Sequence, residues 1–264
     1  MRISISGKAG SGKDTVGDMI QYLTAKRKDY SDLTKGYEIW KGSLSKIADL
    51  DSDWQIKKYS DKLKDMVCIL IGCTREQLED QDFKDTPLSE EWTKWGIVRP
   101  SGTRVIDIQS SYEKAFERKE NLWQDGSTIE EIKLTPRNIL QKLGTEFGRD
   151  MLHPDVWVNA LFAEYKPASY ETDSNGNRET VECKWIITDS RFPNDVKRTR
   201  KMGGVLIRVN RTECECRADE HVSETALDDF NGWDYVIENN GTIEELIAQV
   251  RTILEKEGII KEQE

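Results

Sequence analysis

Near the amino terminus a heptapeptide, Gly7-Lys-Ala-Gly-Ser-Gly-Lys13, separates an alternating stretch, Arg2-Ile-Ser-Ile-Ser6, from apolar residues at helical spacing, Val16, Met19, Ile20 and Leu23. A short strand, a glycine-rich turn and a helix start, in that order, make the G-x-x-x-x-G-K pattern of a phosphate-binding loop (P-loop). Glycine lets backbone N–H groups turn toward one anion. The helix start adds the positive end of its dipole, and Lys13 reaches the outer phosphates.

The next residue departs from the pattern. Where Ser or Thr commonly meets a metal ion, this chain has Asp14, followed by Thr15. A carboxylate beside phosphate is repulsive unless a cation stands between them, so Asp14 and Thr15 are the expected metal ligands. A P-loop also needs an acidic group at the end of a second buried strand. Asp189, closing Trp185-Ile-Ile-Thr188, fits, with Arg191 two residues on; the competing role for Asp189 is to cap the helix that follows.

Along the rest of the chain, strands and helices alternate. The first helix is expected to run to about Arg27. Ile56 to Tyr59 reads as a strand entering a helix with Leu63, Met66, Val67, Leu70 and Ile71 on one side. Residues 82–134, with Pro87, Pro100 and three Trp, read as an insertion with one helix near 110–121. Thr135-Pro136 starts a helix that Ile139, Leu140, Leu143 and Phe147 continue, and another is expected over Pro154 to Tyr165. Asp173-Ser-Asn-Gly-Asn177 marks a hairpin turn. A helix from Asn194 to Met202 stops at Gly203-Gly204, Val205 to Val209 and Tyr235 to Ile237 are strands, and Thr242-Ile-Glu-Glu245 opens the last helix. The sum is an α/β fold: a mostly parallel central sheet flanked by helices, with a helical or irregular insertion and a β-hairpin.

Charge narrows the partners. The 264 residues carry a net charge of −10, which disfavours a general nucleic-acid binder. Residues 212–264 hold four Lys/Arg against fifteen Asp/Glu, so the acidity is a property of the carboxyl-terminal surface and does not exclude an anion site upstream. No apolar run approaches the ~18 residues of a membrane span, and no signal peptide is visible, so a cytoplasmic protein is expected. Cys214-Glu-Cys216 near His221 is weak as a metal motif without a second ligand pair.

Beyond the loop, an ordered set of segments carries a resemblance. Ser6 to Thr15, Ser60-Asp-Lys-Leu-Lys-Asp65, Arg137-Asn-Ile-Leu-Gln-Lys-Leu-Gly-Thr145, Trp157-Val158, Asp189-Ser-Arg191 with Asp195, and His221-Val-Ser-Glu224 through Gly241 resemble the phage-type deoxynucleoside monophosphate kinases. Lys62 stands where that family usually has Pro, and Asp195 where it has Glu. The resemblance implies a P-loop kinase fold in one domain over 1–264, with the 82–134 insertion and a lid-like segment at about 211–228 bearing Arg211 and Arg217.

It also implies ATP as the phosphate donor and magnesium as cofactor. Gly10, Ser11, Gly12, Lys13, Asp14 and Thr15 would bind ATP and its metal. Lys64, Lys84, Arg137, Gly144, Thr145, Trp157, Asp189, Arg191 and Asp195 would bind the deoxynucleoside monophosphate (dNMP), and Lys13, Arg137 and Arg191 would be catalytic. The chemistry is compatible: guanidinium forks suit a phosphate dianion, and an indole offers a flat face to a base. A P-loop kinase for another small phosphorylated acceptor, or an ATP-binding module without turnover, remains an alternative. Small nucleotides are the expected partners, with a homodimer as one assembly.

Overall fold

The computed structural model describes residues 1–25, 32–42, 52–100, 105–123, 125–166, 168–172, 178–212 and 222–261. In chain order the elements begin with β1 (Arg2–Ser6), α1 (Lys13–Leu23), α2 (Leu33–Gly42), β2 (Trp54–Lys57), α3 (Asp61–Ile71), α4 (Arg75–Glu79) and α5 (Gln81–Asp85). They continue with β3 (Thr93–Val98), β4 (Val105–Gln109), α6 (Tyr112–Leu122), β5 (Thr128–Lys133) and α7 (Pro136–Gln141), which runs on as a π-helix (Lys142–Leu152). The last third holds α8 (Val156–Phe162), β6 (Ala168–Thr172), β7 (Arg178–Glu182), β8 (Lys184–Ser190), α9 (Pro193–Lys201), β9 (Val205–Asn210), α10 (Val222–Thr225), β10 (Tyr235–Glu238) and α11 (Ile243–Lys256). These divide into two units, residues 1–62 with 154–264, and residues 63–153.

The first unit is built on a five-stranded parallel sheet ordered β10-β9-β1-β8-β2. β1 is central, with Ile3 beside Ile186 on one side and Val205 on the other. From Ile3 to Ser6 every residue of β1 is buried, as a parallel strand covered on both faces requires. The alternation of β9 shows the two layers. Val205, Ile207 and Val209 join one core with α1, α2 and α11, through Val16, Met19, Ile20, Tyr37, Leu246 and Val250. Leu206, on the opposite face, packs with Val196 of α9 and with Leu227. Asp234 Oδ2 accepts from Leu206 N, fastening the chain before β10 to β9.

Several expectations hold at residue level: Thr242 and Glu245 form the capping box that opens α11, and Thr135 caps α7 with Pro136 in its first turn. Others are corrected. α1 ends at Leu23 rather than near Arg27, and the Thr24 hydroxyl donates to the carbonyls of Ile20 and Gln21 at that end. On α3 only Leu63 and Val67 are buried; Met66 and Leu70 are exposed. Phe147 also lies exposed, because the π-helical winding after Gln141 replaces the 3.6-residue period on which it was placed. β6 and β7 pair antiparallel, and the turn expected at 173–177 lies outside the described residues.

The second unit contains the insertion. Its helix, Tyr112–Leu122, is where periodicity put it, but the remainder includes an antiparallel sheet ordered β4-β3-β5. β5, Thr-Ile-Glu-Glu-Ile-Lys, has no buried residue, so the burial pattern that marks a strand is absent from it. Among the described residues no helix is long and apolar enough to cross a membrane.

Candidate active site

The loop from Gly7 to Lys13 leaves the carboxyl end of β1 and enters α1 with Gly12 at φ +93°, a left-handed conformation that favours glycine. A Cβ on Gly12 would come 2.4 Å from Asn239 Nδ2, which itself donates to the Ser11 carbonyl at 2.8 Å. The loop is thus held from the end of β10. A Cβ on Gly7 would lie 2.4 Å from both Ser11 Oγ and the Val209 carbonyl. Ser11 Oγ is buried with no hydrogen-bond partner among the described residues, an orphan polar atom beneath a loop shaped to receive an anion. Lys13 is buried, and its Nζ donates to the Lys8 carbonyl at 2.7 Å. Beside the loop, Lys8, Ser11, Arg208, Asn210, Arg211 and Glu238 line a cavity of about 270 Å³.

Asp14 has a cation that sequence reasoning missed. Lys58, just after β2, places Nζ 2.8 Å from Asp14 Oδ1, and the Thr188 hydroxyl donates to the same oxygen at 2.8 Å. Desolvation pushes the Asp14 carboxyl up, but the Lys58 hydrogen bond and charge, the Thr188 hydroxyl and the Lys13 charge outweigh it and hold it below the usual value. The neutralising charge is therefore built into the chain. The strand order explains how: β8 lies between β1 and β2, so Thr188 and Lys58 arrive at the same sheet end as the loop.

Asp189, near the end of β8, and Asp195, in the first turn of α9, are both engaged with backbone. Asp189 accepts from Tyr59 N at 2.7 Å and Ser60 N at 2.9 Å, tying the β2–α3 turn to β8. It does not cap α9, whose first turn follows Phe192. Asp195 is buried, and its Oδ2 accepts from Arg191 N and Phe192 N, each at 3.0 Å. Both carboxylates shape the segment that presents Arg191. The Arg191 guanidinium pairs with Glu224 of α10, whose other oxygen accepts from Ala9 N at 3.0 Å. Trp157, on the buried face of α8 with Val158 and Leu161, is only 7% exposed, so little of its ring is open to a base.

The second unit gathers three of the expected basic residues. Lys84 is buried, its Nζ donating to the Glu79 carbonyl at 3.2 Å, and Lys64 pairs with Glu79 at 2.6 Å. Burial, then the charges of Lys64 and Arg137 against the opposing pull of Glu79 and Asp85, hold the Lys84 amine below its ordinary value. Arg137 forks onto Asp85, with Nε–Oδ1 at 2.5 Å and Nη2–Oδ2 at 3.0 Å, and reaches Gln81 Oε1 at 3.1 Å. Gly144 has a packing reason: a Cβ there would stand 2.9 Å from Leu63 Cδ2. Thr145 is half-buried on the same π-helix.

Arg217, Cys214, Cys216 and His221 lie outside the described residues, as does half of the lid-like segment. Lys58, Thr188, Glu224 and Asn239 were not singled out from sequence. Each reaches the loop, or Asp14 directly after it, across the fold, and only a strand end or a segment ending marks its position in the sequence.

Known proteins resemble this chain in sequence. The family model described as "Deoxynucleotide monophosphate kinase" matches residues 2–250. A protein of Acanthamoeba polyphaga mimivirus is 33% identical over 119 residues, covering 44% of this chain and 59% of that protein. The deoxynucleoside-5'-monophosphate kinase of Escherichia phage T5 is 24% identical over 239 residues, 85% of this chain and 84% of that protein. The deoxynucleotide monophosphate kinase of Escherichia phage RB69 is 30% identical over 118 residues, 45% and 44% of the two chains. The chain thus spans most of the T5 protein and less than two thirds of the other two.

Proposed function

The chain belongs to the deoxynucleotide monophosphate kinase family, and from that premise we propose that it transfers the γ-phosphate of ATP to a dNMP, giving a dNDP, in the cytoplasm. The observation that carries the reading is the loop itself: a strand–loop–helix with Lys13 buried at the helix start, in which Gly7 and Gly12 admit no side chain and Ser11 Oγ lies unsatisfied. On this reading the loop N–H groups and Lys13 hold the donor phosphates, and the cavity lined by Ser11, Asn210 and Arg211 receives the rest of the donor nucleotide.

The donor set fits magnesium carried on ATP. On this reading phosphate oxygens of the nucleotide complete the ligands that Asp14 and Thr15 offer, Asp14 being the carboxylate that Lys58 and Thr188 hold beside the loop. Magnesium would supply charge neutralisation at the transferring phosphate.

Lys64, Lys84 and Arg137 suit the acceptor's phosphate dianion, with Arg137 exchanging Asp85 for phosphate. An acceptor phosphate oxygen attacks the γ-phosphorus in line and needs no general base, because it is already ionised. The contribution of the chain is positioning and charge stabilisation by Lys13, Arg137 and Arg191. The test is incubation of purified protein with Mg-ATP and each of the four dNMPs, with products separated by anion exchange. Stoichiometric dNDP and ADP from at least one dNMP is the expected result; ATP consumption without dNDP from any of the four overturns the proposal.

A further inference from the structure

Glu224 joins two parts of the site that are far apart in sequence. One carboxylate oxygen accepts from Ala9 N, on the outer turn of the phosphate loop, at 3.0 Å; the other pairs with one terminal nitrogen of Arg191. Its position is not that of a loose surface acid. The side chain is 21% exposed, and three residues later Leu227 is buried against Val196 and Leu206, which anchors the segment to α9 and β9. One residue beyond, Asp228 pairs with Lys8 at 3.6 Å and with Arg208 at 3.1 Å, while Arg208 also donates to Ser6 Oγ at 3.2 Å. Two successive acidic residues on one anchored segment therefore grip adjacent residues of the phosphate loop, Ala9 and Lys8.

Arg191 is presented to this clamp from the opposite side. Its backbone N–H is fixed by Asp195, and Glu224 engages one edge of its guanidinium. Among the described residues Nε and the second terminal nitrogen of Arg191 have no protein partner, so one hydrogen-bonding edge is left for an anion. A guanidinium on a long flexible side chain loses much rotamer entropy when it is localised; a carboxylate that localises it in advance removes that cost from the reaction.

We propose that Glu224 is a positioning residue: it sets Arg191 at a fixed distance from the phosphate loop, so that loop and guanidinium act on one phosphoryl group together. This rests on the kinase reading above. The acidic carboxyl-terminal region then serves the site at least through this segment, rather than only forming a solvated surface.

The test compares the full chain with Glu224→Gln, Glu224→Ala, Arg191→Ala and the double variant Glu224→Gln/Arg191→Ala, each checked for native melting. Gln keeps an acceptor for Ala9 N but no charge for Arg191, whereas Ala keeps neither. The expected result is a kcat loss of about tenfold for Gln and on the order of 10²-fold for Ala, with KM for ATP changing less than about twofold. In the Arg191→Ala background Glu224→Gln then costs less than about twofold, since the residue through which it acts is gone. A merely structural role moves melting and active fraction without this non-additivity. A second readout does not need turnover: the Arg191 Nε–H signal in a nitrogen-15 spectrum, identified by its loss in Arg191→Lys, shifts in Glu224→Gln. Unchanged kcat in Glu224→Ala, a full-sized Gln effect without Arg191, or an unmoved Arg191 signal overturns the positioning role while leaving the kinase reading intact. A wild type that phosphorylates no dNMP, with the Arg191 signal still shifting between wild type and Glu224→Gln, overturns the kinase reading and leaves the clamp standing.

Discussion

Lys58→Met isolates the electrostatics of Asp14. Two like charges at ~4 Å repel by about 4 kcal/mol at an effective dielectric near 20, the scale of the penalty that an unpaired Asp14 would impose on a bound phosphate. The Asp14 side chain is 67% exposed, so solvent screens it; halving the figure leaves about 2 kcal/mol, or roughly 30-fold in affinity. Lys58, 2.8 Å from Oδ1, cancels that charge in the wild type. Methionine keeps much of its length and removes the charge. Metal-free ATP, titrated calorimetrically in chelator at constant ionic strength, is expected to bind Lys58→Met about 30-fold more weakly. Mg-ATP is expected to lose less than about fivefold, because magnesium takes the place of Lys58 against the carboxylate. Asp14→Asn does the reverse: Mg-ATP weakens, and metal-free ATP binds as well or better. In the double variant the metal-free loss largely disappears. Equal weakening of both ligand forms by Lys58→Met would refute the reasoning, since Lys58 would then serve ATP directly rather than through Asp14.

Other outcomes follow from the same geometry. Lys13→Ala abolishes phosphoryl transfer with melting preserved, since one positioned charge supplies several kcal/mol at the transition state; near-normal kcat refutes the loop assignment. Arg137→Ala and Arg191→Ala weaken dNMP binding more than ATP binding in separate calorimetric titrations, and equal losses remove the acceptor role. Asp195→Ala leaves the N–H groups of Arg191 and Phe192 without their carboxylate; it costs about 1–3 kcal/mol in denaturant unfolding, and a neutral result contradicts that role. Because the Asp14 carboxyl is held below its ordinary value, its ion pair stabilises the fold above the unfolded carboxylate value near ~3.9 and loses this as pH falls through the lowered folded value. The melting gap between wild type and Asp14→Asn should therefore stay level from about pH 5 to 8 and close in acid.

The parts legible in the sequence were those with local causes. The loop, the capping boxes at Thr135 and Thr242, and the buried strands Trp185 to Thr188 and Val205 to Val209 each announce themselves within a few residues. The three-stranded sheet of the second unit did not, because β5 buries none of its side chains and β3 and β4 form only by pairing with neighbours. The winding after Gln141 was equally hidden. Hydrophobic spacing there continues at a helical period, while the backbone changes to a wider turn and exposes Phe147.

The site divides in the same way. A strand, a run of glycines and a lysine determine by themselves that this chain makes a phosphate cradle, because backbone N–H groups, glycine conformation and helix dipole are properties of consecutive residues. Which charges surround the cradle was decided only when β8 came to lie between β1 and β2, and when Leu227 anchored the segment before β10. Those packings bring Lys58 to Asp14 and Glu224 to Ala9 and Arg191. They also turn Asp189 and Asp195 onto backbone N–H groups. Electrostatic partnership depends on distance through space, falling off over a few ångströms, and sequence separation carries no information about it until the strands are ordered.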